Sequence, residues 1–250
     1  MTETTTSPVQ PGTFPRTRWS VVLAATGTPS PESAAALEAI CRAYWYPLYA
    51  YVRRCGQSPH DAQDLTQEFF LLLLKKRWLD EAEREKGRLR AFLVTALKHF
   101  MAKEWRRGSA QRRGGGYAHV PIDTDFAESR YAADPGTDLA AYEVFDRQWA
   151  LTLLDLTMER LQGEFTALGR AGDFGVLKES LTASHGTLAY QSVAVRLGVS
   201  EGAARVAVHR LRKRFREVYR EEISQTLPVG ADVDDEMRHL ASALARSQNR

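Results

Sequence analysis

Cysteine is nearly absent: Cys41 and Cys55 are the only two in 250 residues. No CxxC pair occurs and no histidine pair lies near either thiol, so neither a zinc site nor a disulfide framework is supported. Both read as free thiols. Long apolar runs are missing too. The longest, Phe69 to Leu74, stops at Lys75, Lys76 and Arg77, whereas a membrane-spanning helix needs roughly 20 apolar residues. The N-terminus, MTETTTSPVQPGTFP, has no basic stretch leading into an apolar one, and the apolar Val21 to Ala25 is too brief for a signal. The expectation is a cytoplasmic protein. Strand-period alternation of useful length and internal repeats are also lacking, which leaves an all-α chain.

Net charge is only +3, but its distribution is uneven. Arg84 to Arg113 carries ten Lys/Arg against two Glu, and Arg196 to Arg220 carries eight against two. Between them, Tyr117 to Asp146 carries seven Asp/Glu against Arg130 alone. Two basic blocks joined by an acidic connector point to nucleic acid contacted twice.

Residues 1–29 read as a partly disordered N-terminal extension, with a short helix near Arg18 to Ala25. Ser30-Pro31 starts a long helix to Arg54, closed by Gly56. Its aromatic stripe, AICRAYWYPLYAYV, falls at helical spacing and predicts core, with a bend at Pro47. Residues 58 to 78 form the next helix: Ser58 is the N-cap, Pro59 the first helical residue, and Asp61 stands three after the cap. At about 100° per residue, Asp61, Asp64 and Glu68 fall within roughly 60° of one another. Ala62, Thr66, Phe69 and Leu73 fall on the other side. Packing explains the second set and not the acidic stripe.

A third helix, Arg88 to Arg107, has Leu89, Phe92, Leu93, Ala96, Leu97, Phe100 and Met101 on one face. Interleaved Lys98, His99, Lys103, Trp105, Arg106 and Arg107 combine charge for a phosphate backbone with rings that stack on unpaired bases. Residues 108 to 138 lack helical periodicity and are rich in Gly, Pro and Asp, so they read as a linker. Helix resumes from Ala140 to Leu161 and again over 173 to 184.

The stretch from 188 to 223 reads as a helix-turn-helix. A short helix with Val193, Ala194 and Leu197 ends at Gly198, Val199 plugs inward, and Ser200 caps a basic helix whose apolar face is Val206, Val208, Leu211 and Phe215. Ser200, Glu201, Gly202 and Ala203 would lie nearest the bases, with Arg205, His209 and Arg210 further along. Arg212, Lys213, Arg214 and Arg216 suit phosphates. In the tail, Val233, Met237, Leu240, Ala241 and Leu244 keep helical spacing, and a short amphipathic helix there could pack on the protein or on a regulator to control activity.

Three stretches together, DAQDLTQEFFLLLL, GRLRAFLVTALKHFMAKEWRR and SVAVRLGVSEGAARVAVHRLRKRF, resemble the sigma-70 family of bacterial RNA polymerase specificity subunits, in particular its two-domain extracytoplasmic-function (ECF) group. The resemblance covers roughly 35 to 107 and 140 to 223. It implies two helical domains on a flexible acidic linker: a region 2-like bundle at 30–107, a linker at 108–139, a region 4-like helix-turn-helix domain at 140–226, and a C-terminal extension at 227–250. Asp61, Asp64, Gln67 and Glu68 would dock on the clamp helices of the polymerase largest subunit. Arg90, Lys98, His99, Lys103, Trp105, Arg106 and Arg107 would lie along the −10 element and hold the melted strand. Ser200, Glu201, Arg205, His209, Arg210, Arg212 and Lys213 would face the −35 element. The linker would thread toward the polymerase cleft. The implied function is transcription initiation, with core polymerase and promoter DNA as partners, an anti-sigma regulator as a further candidate, no cofactor and no catalysis. Ala204, Ala207 and the stretch 161 to 187 depart from the family's usual pattern.

Two other readings stand beside it. A helix-turn-helix repressor acting without polymerase accounts for the second basic block and leaves the acidic stripe without a purpose. A metal-dependent nuclease could use Asp61, Asp64 and Glu68 to hold Mg²⁺, but those carboxylates share one helix, and no phosphate loop or Ser/His/Asp set is legible.

Overall fold

The computed structural model describes residues 31–75, 88–108, 124–132, 139–183, 189–228 and 230–246. Every regular element among them is a helix: α1 (Pro31–Arg54), α2 (Pro59–Lys75), α3 (Leu89–Gly108), α4 (Thr124–Ala132), α5 (Ala141–Ala167), α6 (Ala171–Leu177), α7 (Glu179–Thr182), α8 (Tyr190–Leu197), α9 (Glu201–Ser224) and α10 (Val233–Ala245). The short helix expected near Arg18 to Ala25 and the end of the second helix beyond Lys75 lie outside the described residues.

α1 runs unbroken through Pro47 and ends as its sequence predicts, with Gly56 at φ +91° just beyond it. A left-handed residue there costs glycine nothing and would strain a residue with a Cβ. The aromatic stripe is core: Tyr44, Trp45, Tyr46, Tyr49 and Tyr51 are all buried. Tyr44 stacks on Trp149 of α5 with ring centroids 4.3 Å apart. Trp45 stacks on Tyr49 at 5.1 Å. α2 and α3 close the other side with Phe69, Leu73, Leu89, Leu93, Leu97 and Phe100.

This core does not stop at residue 139. Phe145, Trp149 and Leu153 of α5, Tyr219 and Ile223 of α9, Leu227 of the following connection and Leu240 of α10 belong to the same buried cluster as α1 to α3. The residues assigned from sequence to two separate domains therefore share one interior here. A second, smaller cluster gathers Leu161, Phe174, Leu177, Val193, Ala194, Ala204, Val208, Leu211 and Val218 around the far halves of α5 and α9.

The stretch 108 to 138, expected to be linker without helix, contains α4, and its polar side chains anchor it. Glu128 accepts hydrogen bonds from Tyr49 Oη at 2.6 Å and from Arg53 Nε and Nη2 at 3.0 and 2.7 Å. Arg130 lies 4.2 Å from the centroid of the Tyr46 ring, a cation–π contact. The Arg53 guanidinium holds the Glu128 carboxyl below its usual range, while burial and Glu128 push the Tyr49 phenol up.

A carboxylate depressed in the folded state contributes stability that is fully present above its unfolded pKa, about 4.3, and is lost as pH falls through the folded value. Urea midpoints of the native chain are therefore expected to fall steadily below about pH 4.3. In Glu128→Gln that decline should be shallower over the same window. Equal slopes in the two proteins would show that the Arg53–Glu128 pair does not couple to folding.

Candidate nucleic-acid and partner interfaces

The first surface is the outer face of α2. Ser58 Oγ accepts from the Asp61 amide at 3.1 Å and donates to Asp61 Oδ2 at 2.7 Å, so the expected cap is formed and fixes where the helix begins. Ala62, Thr66, Phe69 and Leu73 are buried on the inner face. Asp61 and Asp64 are exposed on the outer one. His60 Nδ1 is 3.2 Å from Asp64 Oδ2. Gln67 and Glu68 are half-buried, and the Gln67 Nε2 is enclosed without a hydrogen-bond partner among the described residues. The stripe is thus two outward carboxylates, one of them already helping to cap the helix, grading into a partly covered Gln-Glu pair.

The second surface is α3. Leu89, Leu93, Leu97 and Phe100 turn inward, leaving Lys98, His99, Lys103, Trp105 and Arg106 exposed. Trp105 is 81% exposed. An indole in water has given up the roughly 25 cal/mol per Å² that burial returns. It is therefore available to a partner's apolar or π surface. Lys98 Nζ sits 5.9 Å from the Tyr51 ring centroid, and Arg106 Nε donates to the Ala102 carbonyl at 3.1 Å. The Arg107 side chain lies outside the described residues.

Arg90, expected along the −10 element, is enclosed by acidic partners. It is 8% exposed, not on the outer face. Its Nε donates to Glu236 Oε1 at 3.0 Å, and its Nη1 is paired with Asp146. Asp146 also receives His239 Nε2 at 2.8 Å, and Arg88 Nη1 reaches Glu236 at 3.2 Å. A guanidinium taken from water needs such partners, because an unpaired buried charge costs several kcal/mol.

The third surface is the α8–α9 pair. Gly198, at φ +66°, terminates α8 and lets the chain turn within three residues to Ser200, whose side chain accepts from the Ala203 amide at 3.3 Å. α9 buries Ala204, Val208, Leu211 and Val218. Val199 and Val206, expected inside, are 44% and 47% exposed. Glu201, Arg205, His209, Arg210 and Lys213 are exposed along the outer face. Arg205 Nη2 donates to Glu201 Oε1 at 2.6 Å and its guanidinium lies 4.5 Å from the Tyr190 ring centroid, so this side chain is already oriented.

Arg212, expected to contact DNA, is half-buried and held by backbone carbonyls. Its guanidinium donates to the Ser180 carbonyl at 3.2 and 2.7 Å and to the Ala183 carbonyl at 3.1 Å. It thereby ties α9 to the backbone around the end of α7. Arg214 is similarly engaged, with Glu164 Oε1 2.7 Å away, and the hydrogen bond to that carboxylate pushes its pKa above the usual arginine value.

Among the described residues no group of three His, Cys, Asp or Glu side chains is placed to hold a metal ion, and no helix is long and apolar enough to cross a membrane.

The stretch that holds α2 and α3, with exposed carboxylates on the first and exposed cations and Trp105 on the second, is the part of the chain that has a recognised counterpart. Residues 41–111 match the family model of sigma-70 region 2. The match supports a sigma-70 region 2 in this stretch, a region associated with polymerase binding and promoter melting. It spans α1 from Cys41 through α3 and ends before α4. None of the curated proteins and none of the solved structures matches the chain.

Proposed function

We propose that this chain is a sigma factor of the ECF group, which docks on core RNA polymerase through α2 and reads a promoter at two places. The observation that carries the reading is the region 2 match over the helices that hold the acidic face and the exposed cation–tryptophan face on one rigid core. Asp61 and Asp64, with Gln67 and Glu68 behind them, meet the basic clamp helices of the largest subunit. Lys98, His99, Lys103, Arg106 and Arg107 follow the −10 strand phosphates, and Trp105 stacks on an unpaired base. The α8–α9 pair is a helix-turn-helix, with Ser200, Glu201, Arg205, His209 and Arg210 toward the −35 element and Lys213 toward its phosphates. The chain acts in the cytoplasm, without catalysis of its own.

The helix-turn-helix repressor remains the competing reading, favoured only by the α8–α9 geometry. Core polymerase, the protein and DNA of a random-sequence library, with and without Mg²⁺, separate the readings. Promoter-directed transcripts are expected. DNA binding without polymerase association would sustain the repressor, and Mg²⁺-dependent nicking a nuclease.

Two neighbouring arginines on α9 should behave differently. Arg210→Ala is expected to weaken promoter binding by about 1–3 kcal/mol with the fold intact. Arg212→Ala is expected to lower the urea midpoint, because three hydrogen bonds to the Ser180 and Ala183 carbonyls are lost. Binding assays and denaturation curves of both variants check the distinction; a promoter defect with unchanged stability in Arg212→Ala would return that residue to the DNA face.

A further inference from the structure

The first turn of α10 carries Asp234, Asp235 and Glu236 behind an Asp232 cap. Its carboxylates reach cations of both basic blocks. Glu236, 1% exposed, receives Arg90 and Arg88 of the first block, and Asp234 is paired with Arg220 of the second. His239, one turn on, joins Asp146, the other acceptor of Arg90. One acidic turn thus occupies three arginines in the same charge-assisted geometry that phosphate oxygens would take.

We propose that α10 is an intramolecular competitor of nucleic-acid phosphate, which keeps Arg88, Arg90 and Arg220 from DNA until it is displaced. The proposal rests on the DNA-binding part of the reading above, and it adds a surface to it: the N-terminal end of α3 and the C-terminal half of α9 become phosphate contacts only when α10 leaves.

The construction of α10 suits displacement. Leu240 and Ala243 are its buried apolar residues, and Val233, Met237 and Leu244 are only partly buried beside them, so one short amphipathic face holds it down. Paired buried charges add little net stability, because their desolvation offsets most of their attraction. The arginines lose one set of oxygen acceptors and gain another when DNA replaces the helix. Gly230, at φ +79° in the short connection from α9, provides a point where the backbone turns.

The test uses the full chain and a fluorescent 30-base-pair duplex with a central unpaired bubble, titrated by anisotropy from about 50 to 300 mM salt. Asp234→Asn with Glu236→Gln keeps side-chain size and removes both charges. The double variant is expected to bind about tenfold more tightly at the lowest salt. Its log K against log[salt] slope should steepen by about two to three, since each freed arginine adds about 0.9. Binding by both proteins with the same affinity and slope overturns the competitor while leaving the DNA-binding reading in place. Binding by neither overturns that reading, and the competitor with it. Should the double variant lose its helical circular dichroism, hydrogen exchange of the native chain decides: residues 233–245 are expected to lose protection when the duplex is added, and unchanged protection overturns the proposal.

Discussion

Asp64→Lys is expected to raise the dissociation constant for core polymerase by about 30-fold, roughly 2 kcal/mol, since reversing a charge that faces an opposite one at an interface costs at least that much. The fold should be unaffected, because Asp64 is exposed and its near neighbour is His60 on its own helix. Asp61 needs a gentler change. Its carboxylate accepts from the Ser58 hydroxyl, so a lysine there would remove the hydrogen bond that orients the cap along with the charge. Asp61→Asn keeps an acceptor in place, and the pair Asp61→Asn with Asp64→Lys is expected to abolish co-elution with core polymerase while leaving the thermal unfolding midpoint within a few degrees. Retained association would assign polymerase docking to another face; a large loss of stability would make the stripe structural.

Trp149→Ala should be the most damaging single substitution. The side chain is completely buried, stacks on Tyr44 at 4.3 Å and lies where helices from both ends of the chain meet. Truncating a buried tryptophan costs about 3–5 kcal/mol, a large share of the 5–15 kcal/mol that holds a typical native protein together. The informative result is the shape of the urea curve. With one core running from α1 to α10, circular dichroism and tyrosine fluorescence should report one coincident transition, shifted to lower urea. Two separated transitions, with only the later one shifted, would mean that the first and second halves fold independently.

What the sequence made legible was local. The face of α2 could be assigned because its inner residues recur every three or four positions, and Ser58 and Gly198 could be placed because a cap and a left-handed turn are made within a few residues. Val206 faces outward for an equally local reason: positions two apart on a helix are about 200° apart, so it cannot share a face with Val208, and the inward set includes Ala204, Val208, Leu211 and Val218. Arg90 and Arg212 were beyond such reasoning. Their partners lie 56 and 146 residues away for the first and 32 and 29 for the second. α4 was missed likewise, since its anchor is Arg53, 75 residues earlier, and not an apolar stripe of its own. One signal was available: Glu236 stands between Val233 and Leu240 at a core position of an otherwise apolar face, and a carboxylate there requires a cation opposite it.

The unequal placement of the tryptophans gives the chain a built-in optical contrast. Trp45 and Trp149 sit in the interior while Trp105 faces water. An aqueous quencher such as iodide reaches the outer indole and is kept from the inner two. With Trp19 and Trp78 replaced by Phe, the proposed stacking of a base on Trp105 would dim the outer of the three remaining indoles, and the enclosed pair would serve as an internal standard in the same cuvette.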